Sequence, residues 1–181
     1  MNRIFTYATL IATLFFFWPP QTSHAFTEDD ESYYSQGKKI AFGGLSLQHL
    51  GIHLAFDYGL HDLISVGAST GYNRESELIK NINYLPILGR VAFHPLNLTF
   101  FSDMFTFVNN VDIYLGANGG WMFGWESLKE GITSTQNTSN ISRYTIGILA
   151  GIHLNTSEKW GFYVEHCGEA SQIVIGATYK L

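Results

Sequence analysis

From Lys39 onward, apolar side chains return at every second position, and this period restricts the fold more than any other feature of the chain. The longest example runs from Val111 to Trp125. Val111, Ile113, Leu115, Ala117, Gly119, Trp121, Phe123 and Trp125 fall in one set, and Asp112, Tyr114, Gly116, Asn118, Gly120, Met122 and Gly124 in the other. A helix would scatter the two sets around its circumference, whereas a strand puts them on opposite faces. The segment also exceeds the roughly 9–11 tilted residues with which a strand crosses a bilayer.

The same alternation predicts strands over 52–60, 64–72, 85–93, 144–154 and 173–181, with weaker ones over 39–47 and 160–168. The total is eight, and single-chain bacterial membrane barrels have even strand numbers. One face of each strand is apolar and rich in aromatics near the strand ends, at Tyr72, Trp121, Trp125, Tyr144, Trp160 and Tyr179. Interfacial girdles have this composition. The other face is small or polar and carries many of the 18 glycines, as the narrow interior of an eight-stranded barrel requires. The expected fold is therefore all-β, an antiparallel transmembrane β-barrel of about eight strands. A soluble lipocalin-like binder is the alternative, with the apolar face turned inward.

Connection lengths suggest an orientation. Turns at His61-Asp62 and Asn155–Lys159 are short, and Arg74–Asn83 and Ser127–Ser142 are longer. Short turns belong to the periplasmic side and longer loops to the outside. The outer connections at His49–Leu50 and Glu169–Ala170 are also short. Leu96–Asn110 departs from the pattern, because it should be periplasmic yet is long and carries Leu98, Phe100, Phe101, Met104, Phe105 and Phe107. It reads either as an interfacial segment or as an extension of its two neighbouring strands.

The N-terminus reads as an export signal. Arg3 precedes an uncharged, largely apolar stretch from Ile4 to Trp18, then Pro19, Pro20 and Ser23-His24-Ala25. Small residues at the third and first positions before the cut suit signal peptidase, so cleavage is expected after Ala25. Residues 1–25 are then the signal peptide, 26–38 a flexible acidic segment, and 39–181 the barrel. Removing Arg3 leaves 9 basic and 15 acidic residues, a net charge of −6. That balance speaks against a nucleic-acid partner. Cys167 is the one cysteine, which excludes an intrachain disulfide.

The stretches Phe56-Asp57-Tyr58-Gly59-Leu60, Ile64-Ser65-Val66-Gly67, Leu85 to His94, Asp112 to Ala117 and Gly176 to Leu181 resemble the small outer-membrane barrels of the OmpA/OmpX and opacity-protein kind. The resemblance spans Lys39 to Leu181. It implies a bacterial outer-membrane location, contact with outer-membrane lipids, and recognition of the last strand by the barrel-insertion machinery. Tyr179 and Leu181 would carry that terminal signal, which usually ends in an aromatic; Leu181 departs from the pattern. Members of the group are variously structural, adhesive or immune-facing. Loops 74–83 and 127–142 would be the surfaces offered to an external partner.

The inward set contains His53, Asp57, Arg90, His94, Asp112, Asn118, Glu126, His153, Glu165 and Lys180. Charges in a narrow lumen must pair, since isolated burial is costly. Asp57, Arg90 and Glu165 fall at similar heights, and a salt-bridge network is expected there with Arg90 as its central cation. His61, His94 and His153 lie on alternate strands, so convergence on a metal is not expected, and Cys167 reads as a small buried side chain. No cofactor, metal or catalytic residue is assigned. A lipid A deacylase-like enzyme is the functional alternative, with His166, Ser171 and Glu165 or Glu169 as its local candidates. Glu165 and His166 point to opposite faces, however, and the family's His-X-Ser-Asn arrangement is missing, because Cys167 and Gly168 follow His166. The expected role is that of a non-enzymatic barrel with a filled lumen, serving envelope integrity or surface interaction.

Overall fold

The computed structural model describes residues 35–48, 50–97, 110–128, 140–168 and 172–181. The expected signal peptide, most of the acidic segment, the interiors of 96–110 and 127–142, and His49, Glu169, Ala170 and Ser171 lie outside the described residues.

Eight strands form: β1 (Lys39–Ser46), β2 (Leu50–His61), β3 (Ile64–Ser76), β4 (Lys80–Phe93), β5 (Val111–Leu128), β6 (Arg143–Asn155), β7 (Trp160–Cys167) and β8 (Gln172–Lys180). Each pairs antiparallel with the next, and β1 pairs with β8, so the sheet closes into a barrel. Closure leaves no strand edge with unpaired backbone groups, the condition for a sheet to span lipid.

Two loop expectations need correction. Arg74–Asn83 is mostly strand: Arg74 pairs with Asn83, Glu75 with Ile82 and Ser76 with Asn81, leaving Glu77–Ile79 as the turn. The polar sequence suggested a loop, but the ladder continues through it, and Asn81 and Asn83 are buried on the face they share with Ser127 and Trp125, where Asn83 accepts from the Tyr72 hydroxyl at 2.7 Å. Likewise β5 runs to Leu128, and Asn140 bridges to Trp125, so the loop region at 127–142 is shorter than expected. After β4, Pro95–Asn97 forms one 3-10 turn.

The barrel is inside-out relative to a soluble one. Among the described residues, 16 polar or charged side chains are buried against 12 hydrophobic ones, while 29 large hydrophobics are exposed. Ile146 and Ile148 are 64% and 70% exposed at mid-strand. Exposed apolar surface this continuous marks a lipid-facing belt. Aromatics gather at its two ends. Trp160 and Tyr179 meet edge-on at 4.9 Å near the terminal end, which carries Ser35 and Leu181. Tyr72–Trp125 and Trp121–Tyr144 contact at 6.3 and 6.4 Å toward the opposite end. Tyr144 to Leu154 spans ten steps of about 3.3 Å, or about 25 Å along the normal at a ~40° tilt, which matches the height of an apolar membrane band. The chain is a transmembrane β-barrel.

Ile148→Arg should cost about 2–4 kcal/mol, since that residue lies midway along β6 where a charge would face the lipid centre. Urea unfolding in lipid vesicles measures this, and a change under about 0.5 kcal/mol would mean that the β6 face meets water.

Candidate functional site: the polar lumen

Three rows of residues across the strands build the barrel interior. In the first, Asp57 on β2, Gly67 on β3 and Arg90 on β4 are register partners. An added Cβ at Gly67 would stand 2.1 Å from Asp57 Oδ1 and 2.1 Å from the Phe56 carbonyl oxygen. The glycine is thus the gap through which Asp57 reaches Arg90, whose Nε lies 3.0 Å from Asp57 Oδ1. In the second row, Tyr114 on β5, Gly151 on β6 and Glu165 on β7 are partners. The Tyr114 ring passes over Gly151, where a Cβ would lie 2.4 Å from Cζ, and its hydroxyl donates to Glu165 Oε2 at 2.6 Å.

Arg90 joins these rows across the lumen. Its Nη2 and Nη1 donate to Glu165 Oε2 and Oε1 at 2.7 and 3.3 Å. Its Cζ stands 5.1 Å from the Phe42 ring centroid. The structure therefore brings Asp57, Arg90 and Glu165 together, with 2%, 5% and 0% exposure. The fork geometry of guanidinium suits such bidentate pairing.

The third row is Tyr163 on β7, Gly176 on β8, Gly44 on β1 and His53 on β2. Tyr163 crosses both glycines, with its hydroxyl 3.3 Å from His53 Nδ1. Two residues beyond Glu165, the Cys167 thiol donates to Glu165 Oε1 at 2.8 Å and sits 4.0 Å from His53 Nε2. His53, Glu165 and Cys167 thus present one nitrogen, one oxygen and one sulfur within 4.8 Å of one another, all buried.

Toward the terminal end, His94 bridges Ser65 and Asp112. Ser65 Oγ lies 2.9 Å from Nε2, and Asp112 Oδ2 lies 2.9 Å from Nδ1. Nucleophile, base and acid are connected in the order that hydrolases use, but each of the three is 1% exposed. A substrate carbonyl cannot reach Ser65 Oγ in that state, and the group acts as a polar clasp joining β3, His94 and β5. His153 makes a similar contact with Thr178 across Gly161.

The remaining predicted residues are dispersed. Glu126 and Lys180 are half-buried near strand ends, and Glu126 accepts from Lys80 Nζ at 2.6 Å. His61 is exposed, whereas His94 and His153 are buried in separate contacts. His166 faces outward, opposite Glu165. Tyr179 is half-buried against Trp160, and Leu181 follows β8 at 70% exposure, its amide donating to the Lys39 carbonyl at 3.0 Å. Sequence reasoning missed Ser65, Tyr114 and Tyr163 as site residues. The available signal was the recurrence of glycine at inward positions, which marks where a neighbour's long side chain crosses.

No protein-family model matches the chain, and no curated protein matches it. Among solved structures the chain is similar to the attachment invasion locus protein Ail of Yersinia pestis, at 14% identity, with 81% of this chain and 99% of that one covered and a TM-score of 0.49. It is also similar to Neisserial surface protein A, at 12% identity, 80% and 94% coverage and a TM-score of 0.46. The N-terminal β-barrel domain of Pseudomonas aeruginosa OprF aligns at 14% identity, 80% and 96% coverage and a TM-score of 0.46.

Removing Arg90 strands two carboxylates, so Arg90→Ala should lower stability by about 3–5 kcal/mol. Urea unfolding in vesicles tests this, and wild-type stability would exclude the network as a structural element. Gly67→Ala should cost about 1–3 kcal/mol through overpacking against Asp57 and the Phe56 carbonyl; the same assay would show an unchanged midpoint if the wall can give way. A fluorophosphonate probe should leave Ser65 unlabelled in the folded barrel, and stoichiometric labelling lost in Ser65→Ala would make the clasp a hydrolase.

Proposed function

We propose that the chain is a non-enzymatic bacterial outer-membrane barrel, exported after cleavage at Ala25. It spans the bilayer as a closed, filled cylinder and contributes to envelope integrity or to contact with an external partner. The observation that carries this reading is the Arg90 bridge. Paired to Glu165 on the opposite wall and to Asp57 beside it, the guanidinium crosses a lumen that eight strands already make too narrow for a water channel. The exposed apolar belt supports residence in lipid.

Asp62-Leu63 and Thr156–Lys159 are short and lie at the terminal end, which we take as periplasmic, with the long β4–β5 connection as the exception on that side. The connection between β5 and β6 is then external, and the partner surface centres on 129–142 rather than on 74–83, which is mostly strand. Tyr179 and Leu181, at the periplasmic end of β8, would be the residues presented to the insertion machinery.

Two measurements test the proposal together. The refolded chain should migrate differently on a gel when unboiled and boiled, and should give no stepwise conductance in a planar bilayer. Discrete conductance steps that persist in Arg90→Ala would replace the plug with a pore. On intact cells, trypsin should cut after Lys129; protection there, with cleavage only in opened cells, would invert the orientation.

A further inference from the structure

Glu165 sits at the meeting point of charge and metal-ligating side chains in the lumen. Asp57 and Glu165 contribute two carboxylates and Arg90 one guanidinium, a formal charge of −1 in a site whose members are at least nine-tenths buried. His53 and Cys167 stand beside the Glu165 carboxylate.

We propose that His53 Nε2, Glu165 Oε1 and Cys167 Sγ form a binding site for one divalent cation of borderline softness, Zn²⁺ being the best match. The donor set of imidazole, carboxylate and thiolate is the one such ions take. Binding replaces the thiol proton that now lies between Cys167 Sγ and Glu165 Oε1. That proton leaves to solvent, the ion adds two positive charges and the thiolate one negative, and the site gains one positive charge beside the Asp57 and Glu165 carboxylates.

The geometry needs only small movements. With metal–sulfur near 2.3 Å and metal–nitrogen or –oxygen near 2.0–2.1 Å, tetrahedral angles place sulfur about 3.5 Å from each other donor. Cys167 Sγ now lies 2.8 Å from Glu165 Oε1 and 4.0 Å from His53 Nε2. Turning the Cys167 side chain away from Glu165 and toward His53 corrects both separations.

The supporting contacts are already in place. A metal-bound histidine usually donates its other ring N–H to a fixed acceptor, and His53 Nδ1 lies 3.3 Å from Tyr163 Oη. Glu165 Oε2 is held by Arg90 Nη2 and Tyr114, which leaves Oε1, with its longer 3.3 Å contact to Arg90, as the ligand atom. Repulsion from Arg90 is offset by Asp57 at its Nε.

Access is from the end opposite the termini. His53 and Cys167 retain 7% and 8% exposure, whereas Glu165 has none. Ser46 and Asn73 flank Gly51, two residues from His53 toward that end. Ser46 Oγ and Asn73 Oδ1 are buried with no hydrogen-bond partner among the described residues, and they furnish polar oxygens along the route.

The test is titration of the refolded, chelator-treated full chain in detergent with Co²⁺ and then Zn²⁺. The expected result is a sulfur-to-cobalt charge-transfer band with tetrahedral visible bands, saturating at one ion per chain. Zn²⁺ should abolish the bands, and each ion bound should release one proton. Cys167→Ser should lose the charge-transfer band. His53→Ala should weaken binding by at least about tenfold while keeping the heat-dependent gel migration of a closed barrel. The wild-type spectrum decides without any variant: a folded chain that gives no sulfur charge-transfer band overturns the site. Equal cobalt affinity in folded His53→Ala would also overturn it as drawn.

Discussion

A single guanidinium holds the interior of this barrel together. Arg90 reaches Asp57 on the neighbouring side of the wall and Glu165 across the lumen. A side-chain bridge across a cylinder does what a hydrophobic core does in a soluble protein, because it links walls that share no backbone hydrogen bonds. The surrounding groups complete its coordination: the Tyr114 hydroxyl and Cys167 thiol donate to Glu165, and Phe42 lies against the guanidinium. Buried polar networks gain from such completeness and suffer when one member is removed.

That bridge depends on residues with no side chain. Gly67 lets Asp57 pass to Arg90, Gly151 lets Tyr114 pass to Glu165, and Gly44 with Gly176 let Tyr163 pass to His53. Each glycine sits in register between the two residues it serves. Long and absent side chains therefore alternate around the wall, and the narrow lumen is filled without overpacking. Transverse contacts of this kind also explain why Ser65, His94 and Asp112 make a relay with no opening to it. The relay is one more stitch between neighbouring strands.

The outer face follows the opposite rule. Its isoleucines, leucines and phenylalanines stay exposed because hydrocarbon, rather than protein, covers them. The free energy of insertion thus comes from the belt, while uniqueness of the interior comes from paired charge and from the shape of the glycine rows. A substitution on β6 outside and one on β4 inside should therefore fail for different reasons.

Alternation at period two already dictated strands, their number and their two faces, because the side chains of a strand must alternate and only one face was apolar throughout. It also placed Asp57, Arg90 and Glu165 inward at similar heights. The extents of β3, β4 and β5 were less legible, since Asn81, Asn83 and Ser127 look like loop residues, and only pairing across the three strands draws them into the sheet, where Asn83 bonds to Tyr72 and Ser127. Which residues touch was decided by closure and register alone. Cys167 and His53 are 114 positions apart, and Arg90 and Glu165 are 75 apart. Only the pairing of β1 with β8 bends the sheet far enough to bring their side chains together. A local pattern carries facing, but distance across a lumen exists only once the cylinder has closed.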